Sequence, residues 1–382
     1  MFKGFHNCNI YVEGHGILKA DLKVEDGKIK CFCENKEGLE LDDKYIVVPG
    51  FIDRHIHGAN GSDTMYATFK DLDNISKTIA QEGVTSFLPT TMTDDEGRIK
   101  KALKNIKDYM ESGRIVGAEV IGAHLEGPFI SPKHKGAQPL EYILKPDVKK
   151  FKEFEAASGG NIREVTFAYE EDGKEFCKYL ASKNITASLG HTDATVNDVE
   201  KAVKDGATSA THTYNAMKGL HHREAGTVGG VFLNDEIYAE VICDFVHVSP
   251  AAIKVLFKMK GKDKVTIITD ALECKHCPDG KYKLAGQDVF LVGKEARLAD
   301  GTLAGSTLYM NDGIRNLKNL LNLSIEEAVD LASINPARAL KVDNKKGSIA
   351  MGKDADFAVI DRDLNVYMTI VKGEVVYNSL EK

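Results

Sequence analysis

Apolar and polar residues alternate with period two over residues 9–12, 20–24 and 28–33, and again over 356–360 and 371–377. Such alternation predicts half-exposed antiparallel strands, and Glu25-Asp26-Gly27 reads as a hairpin turn between two of them. Between these two ends the texture changes. Short apolar runs alternate with stretches of 3.6-residue periodicity, the signature of βα units around a parallel sheet. Eight strands are expected, ending near His57, Thr90, Glu126, Glu170, His191, His212, Asp244 and Asp270. Helical stripes lie between them. Leu72, Ile75 and Ile79 form one, stopped by Gly83; Ile99, Leu103, Ile106 and Met110 form another, stopped by Gly113. Phe176 with Leu180, and Val199 with Val203 ahead of Gly206, mark two more. Pro146 opens a helix over residues 147–157, Ser249-Pro250 is a cap followed by a first-turn proline, and Ser324-Ile-Glu-Glu327 is a capping box.

The simplest architecture is α/β, a (β/α)8 TIM-like barrel over residues 50–342. It is inserted into a small β-sandwich whose halves are residues 1–49 and 343–382. An irregular insertion with two strand-like runs is expected between Asp270 and Ser306, followed by helices over 308–321 and 324–332. Gly226-Thr-Val-Gly-Gly230 reads as a flexible loop before the seventh strand and matches a phosphate cradle only loosely.

Composition narrows the picture. The chain has 382 residues, 43% apolar and 28% charged, as an ordinary globular protein with a large core would. No apolar run approaches the ~20 residues of a membrane span, and the first residues lack the apolar centre of a signal peptide. A cytoplasmic protein without a membrane partner is expected. A net charge of −7 argues against a general nucleic-acid surface, so an anionic ligand needs a local cationic pocket. The seven cysteines are scattered without a disulfide framework, and reduced thiols are expected, Cys31 and Cys33 included. Cys274-Lys-His-Cys277 is half a zinc motif with no second pair.

In a (β/α)8 barrel, reactive groups sit where strands stop. Here six of the eight expected strands end on or just beside His, Glu or Asp flanked by small residues. His55 and His57 are at i and i+2, so an extended backbone points both to one face with Cβ atoms roughly 6–7 Å apart. His124 and Glu126 repeat the pattern on the third strand, His124 serving either as support or as packing. His191, His212 and Asp270 end later strands, and His247 follows Asp244. Neutral imidazole with carboxylate suits zinc, iron and other borderline divalent ions.

Taken in order, PGFIDRHIHG (49–58), HLEGPF (124–129), LGHTDA (189–194), THTYNAM (211–217), ITDA (268–271) and GSIAMGKDADFAVID (347–361) resemble the amidohydrolase superfamily nearly end to end. HLEGPF with THTYNAM is similar to its branch acting on N-acetylated hexosamine 6-phosphates. The resemblance implies hydrolysis of the acetamide of N-acetyl-D-glucosamine 6-phosphate to D-glucosamine 6-phosphate and acetate, by metal-activated hydroxide. It implies one ion on Glu126, His191 and His212. His55 and His57 can hold a second, with Glu126 bridging; zinc, iron, cobalt and manganese are the candidates. Asp270 resembles the family's catalytic acid/base. The implied substrate contacts are Ala137, Gln138, Asn215, Ala216, Arg223, His247, Leu303, Ala304 and Gly305. Arg223, or its neighbours His221 and His222, suits a phosphate; a merely solvated loop is the other reading. The resemblance further implies a homodimer in which a phosphate contact crosses between subunits. The motifs do not separate sugar epimers. They fit a deaminase or cyclic-amide hydrolase less well, and a ligand set without gaps argues against an inert scaffold.

Overall fold

The computed structural model describes residues 2–380; Met1, Glu381 and Lys382 lie outside the described residues. Eight parallel strands form the barrel: Phe51–Ile56, Val84–Thr91, Ala123–Glu126, Ile162–Phe167, Thr186–Leu189, Ser209–Ala210, Tyr238–Ile242 and Val265–Ile268. Each pairs in parallel with the next in sequence. The ring closes between its last and first strands, where Ile56 bridges Ala271 and the Asp270 N–H donates to the His55 carbonyl at 2.8 Å. Every strand residue of the first two strands is buried, as expected where helices cover the outside and side chains fill the inside.

The helices follow the apolar stripes. They are α1 Phe69–Ala80, α2 Glu96–Glu111, α3 Val148–Ala157, α4 Lys174–Ser182, α5 Val196–Lys204, α6 Gly226–Leu233, α7 Pro250–Lys260, α8 Met310–Leu321, α9 Ile325–Asp330 and α10 Ile334–Ala339. Asp147, Ser249 and Ser324 cap α3, α7 and α9 through their side chains, and Ser324 with Glu327 completes the capping box. The expected loop at 226–230 is instead the start of α6. Its glycines serve close packing, not flexibility: a Cβ at Gly230 would sit 2.6 Å from Val199 Cβ on α5. Helix α10 carries Pro336, which reads as a breaker but lies in the first turn, where no backbone donor is required.

Both chain ends build the second domain, as one hydrogen-bonded sheet with a core of its own. Ile46–Pro49 is its pivot, parallel to Gly4–Val12 and antiparallel to Phe357–Ile360. The other N-terminal strands extend one side and the C-terminal strands the other. Phe5 and Phe357 meet edge to face in the core between them, with ring centroids 5.4 Å apart. Lys346 ties this domain to the barrel: its buried ammonium lies 2.7 Å from Glu119, 3.0 Å from Asp354 and 2.7 Å from Asp356. Those three carboxylates could group around a metal ion, but the lysine already occupies their centre.

Two further expectations change. The insertion after Asp270 holds three antiparallel strands, not two: Gly280–Leu284, Gln287–Val292 and Glu295–Leu298. Cys31 and Cys33 form a disulfide instead of remaining thiols. The strand stops at Cys31 and the chain bends at once, which leaves the two Cα atoms 5.5 Å apart, within the range a disulfide spans. The other cysteines of the described residues are free.

A Gly230→Ala variant should lose about 1–3 kcal/mol of stability, since α5 and α6 must separate to admit the methyl group. Urea or thermal unfolding reads this out, and an unchanged midpoint would remove close packing as the reason for the glycine.

Candidate metal-dependent active site

Several strand-end side chains stand beyond the regular strands. His191, His212, Asp244 and Asp270 each lie two residues past the last hydrogen-bonded strand residue. Three of these, His191, His212 and Asp270, have positive φ of 48°, 30° and 49°. Non-glycine residues rarely adopt that conformation, and here it turns the chain at the barrel mouth. Glu170 lies three residues past its strand and accepts the Asp193 N–H and the Thr192 hydroxyl; it braces the loop after His191.

Glu126 is the centre of the cluster. Its Oε1 lies 3.2 Å from His191 Nε2, 3.1 Å from His212 Nε2 and 3.5 Å from His55 Nε2. Its Oε2 lies 3.2 Å from His57 Nε2. Asp270 Oδ1 faces the same two first-strand imidazoles, at 3.4 Å from His55 and 3.2 Å from His57. All are buried or nearly so. Burial opposes a charge on His57, but Asp270 and Glu126 outweigh it and push its pKa up to about 9. Burial would raise Asp270 and Glu126; the facing imidazoles hold both below the usual carboxylate range.

The tautomers decide what the cluster can hold. His191 Nδ1 donates to the His134 carbonyl at 2.8 Å, and His57 Nδ1 donates to the Thr90 carbonyl at 3.2 Å. A carbonyl only accepts, so in each neutral ring the Nε2 lone pair faces inward. The His191 and His212 Nε2 atoms are 3.1 Å apart. Two nitrogens on one tetrahedral ion at about 2.0–2.1 Å would be separated by roughly 3.3 Å. His55 Nε2 is buried without a hydrogen-bond partner. Two donor groups therefore fit divalent ions, His55–His57–Glu126 and Glu126–His191–His212, sharing the carboxylate.

A cavity of about 290 Å³ opens onto this cluster. Ala137, Gln138, Asn215, Ala216, His247, Leu303 and Gly305 line it together with His57, Glu126, His191, His212 and Asp270. Ala304 does not. It is buried behind its neighbours, its N–H bonded to Ala296, because side chains of an extended segment alternate. Arg223 is exposed outside the cavity, its guanidinium against His222 at 2.8 Å. Gln138 accepts from the Thr93 N–H at 2.7 Å and donates to Glu126 Oε2 at 3.0 Å, so its amide orients the carboxylate. His247 Nδ1 lies 2.6 Å from Asp244 and its Nε2 is buried without a partner. His124 packs under the cluster, 2.8 Å from Thr166 and outside both donor groups. Cys274 and Cys277 belong to neither group.

Sequence reasoning missed Glu240 and Arg54. Arg54 Nε and Glu240 Oε1 are 3.1 Å apart, and His55 Nδ1 lies 3.3 Å from Glu240 Oε2. Successive residues thus reach one carboxylate, which strict alternation forbids. The pairing register shifts between Asp53 and Ile56, and that irregularity permits it. A glutamate amid the apolar seventh strand was the available signal. Met92, Leu272, Leu284 and Thr302 also line the cavity and carried no signal.

The pattern of the amidohydrolase family matches residues 46–376. The chain is 41% identical over 381 residues to the N-acetylglucosamine-6-phosphate deacetylase of Bacillus subtilis (strain 168), covering 97% of this chain and 96% of that one. It is 36% identical over 355 residues to the N-acetylgalactosamine-6-phosphate deacetylase of Escherichia coli O157:H7, covering 93% and 94%. The crystal structure of N-acetylglucosamine-6-phosphate deacetylase from Thermotoga maritima superimposes with a TM-score of 0.90 at 34% identity, covering 98% and 99%. A barrel closed around shared histidine and carboxylate ligands, and sequence likeness over nearly its whole length, place this chain in the amidohydrolase family.

Proposed function

We propose that this chain is a metal-dependent hydrolase that releases acetate from N-acetyl-D-glucosamine 6-phosphate, leaving D-glucosamine 6-phosphate. The observation that carries the reading is the convergence of His191, His212 and Glu126 at one point of the cavity floor, with His55 and His57 on the same carboxylate. Zinc, iron, cobalt or manganese suits that donor set, as one ion or two. A bound divalent ion supplies Lewis acidity and acidifies water to near-neutral pKa.

The chain's own residues do the rest. Asp270, held ionised by His55 and His57, takes a proton from the attacking water and returns it to the departing amine. His247 keeps its Nδ1 proton on Asp244 and leaves the Nε2 lone pair to accept from a sugar hydroxyl. Asn215, Ala216 and the Leu303–Gly305 edge confine the sugar, and Gln138 keeps Glu126 in place. Nothing cationic within the cavity lining answers a phosphate except histidine. Arg223, outside its own cavity, fits the phosphate of a neighbouring subunit in a homodimer. Five free cysteines among the described residues support a cytoplasmic setting, while the Cys31–Cys33 disulfide counts against it.

Removing metal with a chelator should abolish acetate release, and re-adding a divalent ion should restore it; full activity in metal-free protein would end the reading. Asp270→Asn should keep its metal content while turnover falls about 10²–10⁴-fold. A near-normal rate would dismiss Asp270 as the proton carrier. Arg223→Ala should raise KM about tenfold to hundredfold, the worth of a charged hydrogen bond. Mixing and reassembling Arg223→Ala with Asp270→Asn chains should recover a low-KM site, because one mixed site holds both intact groups. No recovery would place Arg223 outside catalysis across subunits.

A further inference from the structure

On the reading that His55 and His57 hold a second ion, we infer that Glu240 is the positioning residue that makes that second site. Glu240 touches no cavity; it lies fully buried in the seventh strand, one layer beneath the ligands. Its Oε2 faces His55 Nδ1 at 3.3 Å and accepts the backbone N–H of His212 at 3.2 Å. One carboxylate oxygen thus touches a ligand of each proposed ion. His57 and His191 have their Nδ1 protons held by main-chain carbonyls, which no substitution of a side chain removes. His55 depends on a side chain instead. With its proton drawn to Nδ1 by Glu240, the unpartnered Nε2 presents a lone pair toward Glu126 and Asp270.

The layer beneath holds the carboxylate in place. Arg54 is fully buried and spans two carboxylates, with Nε 2.9 Å from Glu164 Oε2 and 3.1 Å from Glu240 Oε1. Its third contact is the Ser209 hydroxyl at 2.9 Å. A glutamine at position 240 keeps its one oxygen on the His212 N–H and His55 Nδ1 but loses the negative charge. The pull on the Nδ1 proton weakens, and the Nε2 lone pair, where the ion would bind, becomes a poorer donor.

Metal content of Glu240→Gln, loaded with Zn²⁺ or Co²⁺ and dialysed, is the test. Wild type should hold two ions per chain. The variant should hold one, the second binding about 10- to 100-fold more weakly. Glu164→Gln is the control, since it disturbs the same guanidinium but touches no ligand; it should retain two ions. Should Glu240→Gln not fold, Glu240→Asp takes its place, with the charge kept and only a partial loss of the second ion expected. Two ions held with unchanged affinity in Glu240→Gln, or an equal loss in Glu164→Gln, would overturn the role of Glu240 while leaving the two-ion reading intact. Wild type that never exceeds one ion would overturn both.

Discussion

Four imidazoles and two carboxylates share a nearly waterless space at the mouth of the barrel, and the rest of the structure depends on making that crowding tolerable. Groups of this kind are costly to bury unless each is matched by a proton, a hydrogen bond or a cation. Glu126 supplies the match by dividing its two oxygens between the first-strand histidines and the later ones. The elements around it fix directions: carbonyls of Thr90 and His134 orient two rings, and Gln138 orients the glutamate itself. What is left pointing inward is a set of lone pairs, and lone pairs brought together in a dry site call for a positive ion.

The barrel makes that geometry available because the first, third, fifth, sixth and eighth strands all end at one mouth, so residues far apart in sequence meet there. The backbone contributes more than a frame. His191, His212 and Asp270 all sit in left-handed conformation just after their strands end. Each such residue costs on the order of 1–3 kcal/mol relative to relaxed backbone, and the surrounding packing must offset it. The site is thus rigid by construction, which suits chemistry that relies on preplaced charge.

Much of this was legible in the residues. The period-two ends, the 3.6-period middle and the capping signals located nearly every helix and strand, because those elements are amphipathic for a physical reason that survives into the fold. The candidate ligands were legible because several His, Glu and Asp ending strands of one barrel are poorly explained as separate structural residues, and because their motifs resemble a known family. What escaped depended on neighbours that periodicity does not see. Gly229 and Gly230 look like part of a flexible loop until Ala225 and Val199 are known to press on them. Glu240 looks like an ordinary charge until Arg54 and His55 are seen beside it, and that pairing requires a register shift no hydrophobic pattern announces. Cys31 and Cys33 look independent until the bend after the strand draws them together.

The strand Ile46–Pro49 runs through a single glycine into the first barrel strand, and its partner on the far side, Phe357–Ile360, is translated some three hundred residues later. Gly50 permits no slack there, since a Cβ at that position would meet Thr85 at 2.1 Å. A nascent chain therefore carries an unpaired, wholly apolar sheet edge beside its first barrel strand until Phe357–Ile360 has been made. For this molecule the vulnerable interval is birth on the ribosome, and that late strand is the cover that ends it.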